Sequence, residues 1–164
     1  VSFVEIETAS QPECWRRAAE LAPSRSAALP AAGERIAVVG CGTSFYMAQA
    51  YAALREESGQ GESDAFAASE FPFGRRYDRV VALTRSGTTT EVLDLLGRLH
   101  GVTRTVAITA DPNTPVMTAA DDVVVLDFAD EQSVVQTRFA TTAFTLLRAH
   151  LGLHTDAVVR DAET

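Results

Sequence analysis

Apolar residues in this chain fall into two alternating patterns. Short unbroken runs such as Ile36-Ala37-Val38-Val39, Val80-Val81-Ala82-Leu83 and Val123-Val124-Val125-Leu126 read as strands buried on both faces. Between them apolar positions recur at helical spacing: Phe45, Ala48 and Ala52; Val92, Leu95, Leu96 and Leu99; Val135, Phe139, Ala143 and Leu146. The pattern predicts strands near 35–39, 62–67, 79–84, 104–109 and 122–127. It predicts helices near 44–57, 89–100, 114–119 and 132–151, a short turn near 69–72, and a lead-in helix over 11–28 that Pro23 disturbs. Pro112 and Pro115 mark the loop after the fourth strand. Alternating β and α units with apolar strands imply a three-layer α/β/α sandwich around a five-stranded parallel sheet.

That architecture places the loops that follow the strands at one edge, where ligands bind in open parallel sheets. Thr84-Arg85-Ser86-Gly87-Thr88-Thr89-Thr90 directly follows one apolar run and opens a helical pattern. Five of its seven residues carry hydroxyls. A helix start leaves backbone N–H groups unsatisfied and carries partial positive charge, so it favours an anion. Hydroxyls add adaptable donors, and Gly87 allows close backbone approach. The loop reads as a phosphate cradle without a lysine; the alternative is an ordinary strand-to-helix turn capped by Thr88 or Thr89. A second such turn, Gly40-Cys41-Gly42-Thr43-Ser44, lies upstream, where Thr43 or Ser44 can cap the helix while offering a hydroxyl to a ligand. The third, Glu131-Gln132-Ser133-Val134-Val135-Gln136-Thr137, opens the last long helix. Glu131 is either a dipole-stabilised acid at a helix start or a carboxylate at the rim of the crevice.

Composition narrows the possibilities. The chain of 164 residues makes one domain, with no apolar run of membrane-spanning length and no signal-peptide pattern. Cys14 and Cys41 are too few for a disulfide scaffold and read as reduced thiols of a cytoplasmic protein, Cys41 at a small buried position. No Cys/His spacing suggests a metal, and His100 and His154 sit near helix ends as solvated or capping groups. No cofactor is implied. The net charge of −8 argues against nucleic acid and anionic membranes, so a phosphate must be held by local donors. All 14 basic residues are arginine, which excludes Schiff-base chemistry by a lysine.

The three loops in this order resemble the SIS (sugar isomerase) domain family. The resemblance rests on Cys41-Gly42-Thr43-Ser44, Ser86-Gly87-x-Thr89 and Glu131-x-x-Val134, with Ala68-Ser69-Glu70-Phe71 between the first two and Gln11-Pro12-Glu13-x-Trp15 ahead of them. It covers roughly residues 33–151 and implies a flavodoxin-like fold. The chain is similar to the first of two such domains in agaS-like and glucosamine-6-phosphate synthase-type sugar isomerases. The resemblance implies a lead-in segment over 1–32, the SIS domain over 33–152 and a trailing helical segment over 153–164 that begins something unfinished. It implies that Thr84, Ser86 and Thr89 hold the phosphate of a phosphorylated sugar, with Arg85 and Gly87 in the same loop. Ser44 would contact the sugar or its phosphate, and Val134 would lend a backbone contact. Arg85, Thr88 and the stretch Val134-Val135-Gln136-Thr137-Arg138 depart from the synthase pattern, which leaves the amino sugar open. In synthase-type relatives the proton-transfer groups come from the second domain, so Glu131 is the catalytic candidate within this chain, and a homodimer partner or a second SIS domain is implied. Three readings stand: a sugar-phosphate isomerase or half of one, a non-catalytic sugar-phosphate sensor, and a Rossmann-type nucleotide binder, whose Gly-x-Gly-x-x-Gly pattern fails at Phe45.

Overall fold

The computed structural model describes residues 2–164. Five strands, β1 (Ile36–Gly40), β2 (Ser63–Ala67), β3 (Arg79–Leu83), β4 (Arg104–Thr109) and β5 (Asp122–Val125), form one sheet in the order β2-β1-β3-β4-β5. Every neighbouring pair is parallel. β1, β3 and most of β4 are fully buried, as their unbroken apolar runs require.

Side chains alternate between two cores. Ile36, Val38, Val81, Val106 and Val124 face helices α2 (Gln11–Leu21), α3 (Thr43–Glu57) and α6 (Arg138–His150). Ala37, Val39, Val80, Ala82 and Ala107 face α4 (Thr90–Leu99) and α5 (Val116–Ala119). The fold is therefore the expected three-layer α/β/α sandwich with a five-stranded parallel sheet. The strand order reverses beside β1: α3 leaves its carboxyl end toward one face and α4 leaves β3 toward the other. Their two preceding loops diverge at the carboxyl edge, the place where open parallel sheets bind ligands.

Several elements differ from the periodicity. The lead-in helix stops at Leu21 and continues only as a 3-10 turn over Ala22–Arg25, with Pro23 in its first turn. A further helix, α1 (Phe3–Ala9), precedes it, and α7 (Asp156–Glu163) follows α6. The inward stripe of α3 is Ser44, Ala48, Tyr51, Ala52 and Arg55, while Phe45 is only half-buried. The helix expected over 132–151 begins at Arg138. Residues 130–137 form an irregular strap instead, with Val134 99% and Val135 67% exposed. β5 ends at Val125, and a 3-10 turn over Asp127–Ala129 leads into the strap.

Candidate functional site at the carboxyl edge

The loop after β3 is shaped from beneath by a buried hydroxyl. Thr84 is 3% exposed; its Oγ1 accepts the amide of Gly87 at 3.3 Å and lies 3.3 Å from Thr89 Oγ1. Gly87 adopts φ +65°, and a Cβ there would sit 2.0 Å from Thr114 Oγ1 and 2.9 Å from Val116 Cγ1. The glycine is thus demanded twice, by the backbone and by the space. Above Thr84, Ser86 Oγ accepts from the amide of Thr88 at 3.3 Å and its hydroxyl at 3.0 Å. Ser86 keeps its own proton free to donate outward.

Thr89 occupies the N-cap position of α4, yet its side chain makes no capping bond. Its hydroxyl turns to Thr84 instead, so the first amides of α4 have no side-chain acceptor. α3 likewise starts without a side-chain cap: Gly42 is the N-cap at φ +55°, and the hydroxyl of Ser44, 2% exposed, lies 3.2 Å from Gln136 Oε1. The capping roles open to Thr88 or Thr89 and to Thr43 or Ser44 are therefore not realised. Gly40 lets the strand end press on that helix, since a Cβ there would come within 2.7 Å of the Ser44 backbone.

The third helix of this edge is capped, and by Glu131. Glu131 Oε2 accepts the amides of Thr137 at 2.8 Å and Arg138 at 2.9 Å, and the Thr137 hydroxyl at 2.8 Å. The residue is 4% exposed, and its Oε1 is buried with no partner. Glu131 is not the first residue of a helix, as the spacing suggested; it reaches across the strap to close the start of α6. Its charge satisfies that helix end; at the start of α3 the amides of Ser44 and Phe45 donate to the carbonyls of Cys41 and Gly42, while the start of α4 stays open. Oε2 is thus taken up by the start of α6, and Oε1 is closed off from solvent.

Arg85 ties two of the loops together. Its Nη1 donates to the carbonyl of Glu131 at 2.6 Å and lies 3.7 Å from Asp130 Oδ1. Ser44, through Gln136, and Arg85, through Glu131, hold the strap between the first and second loops. The structure thus brings Ser44, Thr84, Arg85, Ser86, Gly87, Thr89 and Glu131 to one edge. Val134 projects into solvent from the same strap.

Glu7 and Gln136 were not singled out by the sequence. Glu7, on α1, is 3% exposed. Its carboxylate accepts the amide of Gln132 at 2.6 Å, that of Ser133 at 3.3 Å and the Ser133 hydroxyl, and lies 3.4 Å from the Thr137 hydroxyl that donates to Glu131. Burial pushes its pKa up, but the Ser133 and Gln132 bonds and the Arg138 charge together hold it below the usual carboxylate value. No periodicity announces such a contact. The Ser2-x-x-Glu5 capping box is the signal that could have revealed the helix carrying it.

The cysteines are free, Cys14 buried and Cys41 only partly so, and burial raises both thiols away from the reactive thiolate. Among the described residues no group of His, Cys, Asp and Glu could hold a metal, and no helix is long and apolar enough to cross a membrane. An apolar cleft lined by Trp15, Phe144, Val158 and Val159 lies away from this edge. A wider groove at the amino end of the sheet is lined by Arg35, Arg75, Arg76 and Arg98.

The sequence profile described as the SIS domain matches residues 31–151. No curated protein matches the chain. Among solved structures, the tagatose-6-phosphate ketose/aldose isomerase of Escherichia coli superposes with a TM-score of 0.80 at 17% identity, covering 99% of this chain and 51% of that one. The glucosamine-6-phosphate deaminase of Thermotoga maritima gives 0.74 at 22%, covering 98% and 52%. The C-terminal domain of glucosamine-fructose-6-phosphate aminotransferase from Francisella tularensis gives 0.72 at 19%, covering 99% and 49%. The chain spans about half the length of each, and all three likenesses are of fold.

Proposed function

The chain belongs to the SIS domain family, and from that premise we propose that it is the sugar-phosphate-binding half of a ketose/aldose isomerase. The phosphate sits over the start of α4, held by the hydroxyls of Ser86 and Thr89 and the open amides of that helix, with Gly87 allowing the approach. Thr84 shapes the loop from below. Ser44 and the backbone at Val134 face the sugar, and Arg85 fixes the distance between the phosphate loop and the strap. The observation that carries this reading is the unused cap: Thr89 stands at the N-cap, yet its hydroxyl turns to Thr84 and leaves the helix start open.

Catalysis is assigned elsewhere. Isomerisation through an enediol needs a base at C1 and C2. Glu131 is committed to the start of α6 and is buried, so in this reading the isolated chain binds phosphosugars without interconverting them. A second SIS domain or a second copy supplies the base and covers the exposed apolar residues beside the edge, Phe3, Ile6, Val134 and Val135. The same burial of Glu131 favours, as a second reading, a sensor that binds the sugar phosphate and does no chemistry.

Calorimetry with a panel of hexose and pentose phosphates tests the proposal. Ser86→Ala combined with Thr89→Ala should weaken binding by about 2–4 kcal/mol, the cost of two charge-assisted hydrogen bonds. Unchanged affinity removes the cradle.

A further inference from the structure

We propose that Glu7 is a positioning residue of this site, so that α1 belongs to the binding machinery; the inference rests on reading the carboxyl edge as a phosphosugar site. α1 inverts the usual arrangement of a docked helix. Its one buried residue is a glutamate, while Phe3, Val4 and Ile6 are exposed by 57%, 48% and 52%. Burying a carboxylate is costly unless donors surround it. Here every donor comes from the strap: the amides of Gln132 and Ser133 and the hydroxyl of Ser133. These residues are 125 and 126 positions away in sequence and belong to no helix or strand before Arg138.

The strap has two sides. Glu7 occupies the donors on one. On the other, Gln136 meets the buried hydroxyl of Ser44, and between them Val134 is held 99% exposed. A stretch without regular structure has many conformations, and an anchor at Gln132 and Ser133 removes most of them just before Val134. Glu131 fixes the far end, at Thr137 and Arg138, and Arg85 holds the Glu131 carbonyl at the near end, which leaves the amides of Gln132 and Ser133 to Glu7. Glu7 therefore sets the backbone at Val134 before any ligand arrives. The phosphate loop, by contrast, is shaped by its own Thr84 and Gly87 and does not depend on Glu7.

Two variants and two ligands separate the roles. Glu7→Gln keeps the shape but turns an amide NH2 toward donors; Ser133→Ala removes one donor with little risk to folding. Hydrogen exchange at the Gln132 and Ser133 amides should accelerate in Glu7→Gln. Calorimetry with the tightest-binding hexose or pentose phosphate should show about tenfold weaker affinity in Glu7→Gln and about threefold in Ser133→Ala, the scale of losing one or two hydrogen bonds. Affinity for inorganic phosphate, which probes the Thr84–Thr90 loop alone, should stay unchanged. A merely structural residue would lower both affinities together with thermal stability, and that result overturns the proposal. Phosphosugar affinity retained in both variants overturns it as well and leaves the site reading intact. A wild-type chain that binds no phosphosugar overturns the site reading and, with it, the role given to Glu7.

Discussion

Replacing Gly87 by alanine tests the loop after β3, the proposed phosphate cradle, at its tightest point. The backbone there has φ +65°, and moving an L-residue into that region costs about 1–2 kcal/mol. The new methyl would lie 2.0 Å from Thr114 Oγ1, 2.9 Å from Thr114 Cβ and 2.9 Å from Val116 Cγ1. Rotation of Thr114 can relieve the first contact but not the other two. Overpacking of this kind costs about 1–3 kcal/mol. Alanine also narrows the unfolded ensemble, which offsets roughly 0.4–1 kcal/mol. The expected net loss is about 1–5 kcal/mol, read as a lower urea midpoint at unchanged slope. Because Gly87 also donates to Thr84 and its carbonyl accepts from Val116 at 3.3 Å, relief of the clash moves Ser86 and Thr88. Phosphosugar affinity should fall at least about tenfold, or 1.4 kcal/mol. Thr114→Gly in the same chain should recover part of the stability, since it removes two of the three contacts. A variant within about 0.5 kcal/mol of wild type, the usual scatter for surface changes, with normal affinity would refute the reasoning.

Three more outcomes follow from the geometry. Deuterium wash-in at C2 of aldose and ketose phosphates should be absent from the isolated chain, and Glu131→Ala should instead cost about 1–3 kcal/mol of stability through the lost cap; robust exchange abolished by Glu131→Gln would make Glu131 the base after all. The chain should associate at tens of micromolar in sedimentation velocity, and Ile6→Glu should shift it toward the monomer; a strict monomer in wild type counts against a partner at this edge. Burial pushes the Tyr51 hydroxyl up to about 12, and it has no hydrogen-bond partner in the core. The unfolded chain releases that proton near pH 10, so stability is unaffected below pH 10 and declines between about pH 10 and 12, by up to roughly 1.4 kcal/mol per pH unit. Tyr51→Phe should be neutral or slightly stabilising at pH 7 and should flatten that alkaline decline in urea melts.

Where the sequence was informative, a buried surface repeated itself. The runs in β1, β3 and β4 are buried on both faces, so each position reports the same environment and the strands stand out. α4 shows its four core residues, Val92, Leu95, Leu96 and Leu99, at one helical stripe, all buried. The strap mimics a helix because Val135 lies four residues before Phe139 and extends the stripe of α6 backward in register. Spacing cannot show that Glu131 folds back to cap the helix at Thr137 and so ends it there. The loop after β3 was legible because glycine and hydroxyls are local requirements of a tight turn. The contacts of Glu7 and the pairing of Ser44 with Gln136 were not, since they join residues 125 and 92 positions apart through single polar atoms. The role of Arg85 was half legible: its charge marks the loop, but its direction, toward the Glu131 carbonyl, is set by tertiary packing.

The all-parallel sheet bears on how the chain reaches this state. No strand meets its neighbour through a hairpin, because each pairing closes a segment that includes a crossover. The loop entropy of every pairing must be lost before the pairing gives anything back. β3 is the worst placed: it must insert between β1 and β4, and β1 already carries β2 on its other side. The contacts of α4 and α6 within each helix are local, whereas β1 and β3 pair across a segment that contains α3 and β2. The segments that carry Ser44 and Ser86 follow those same central strands, so the carboxyl edge is complete only once β1 and β3 have paired.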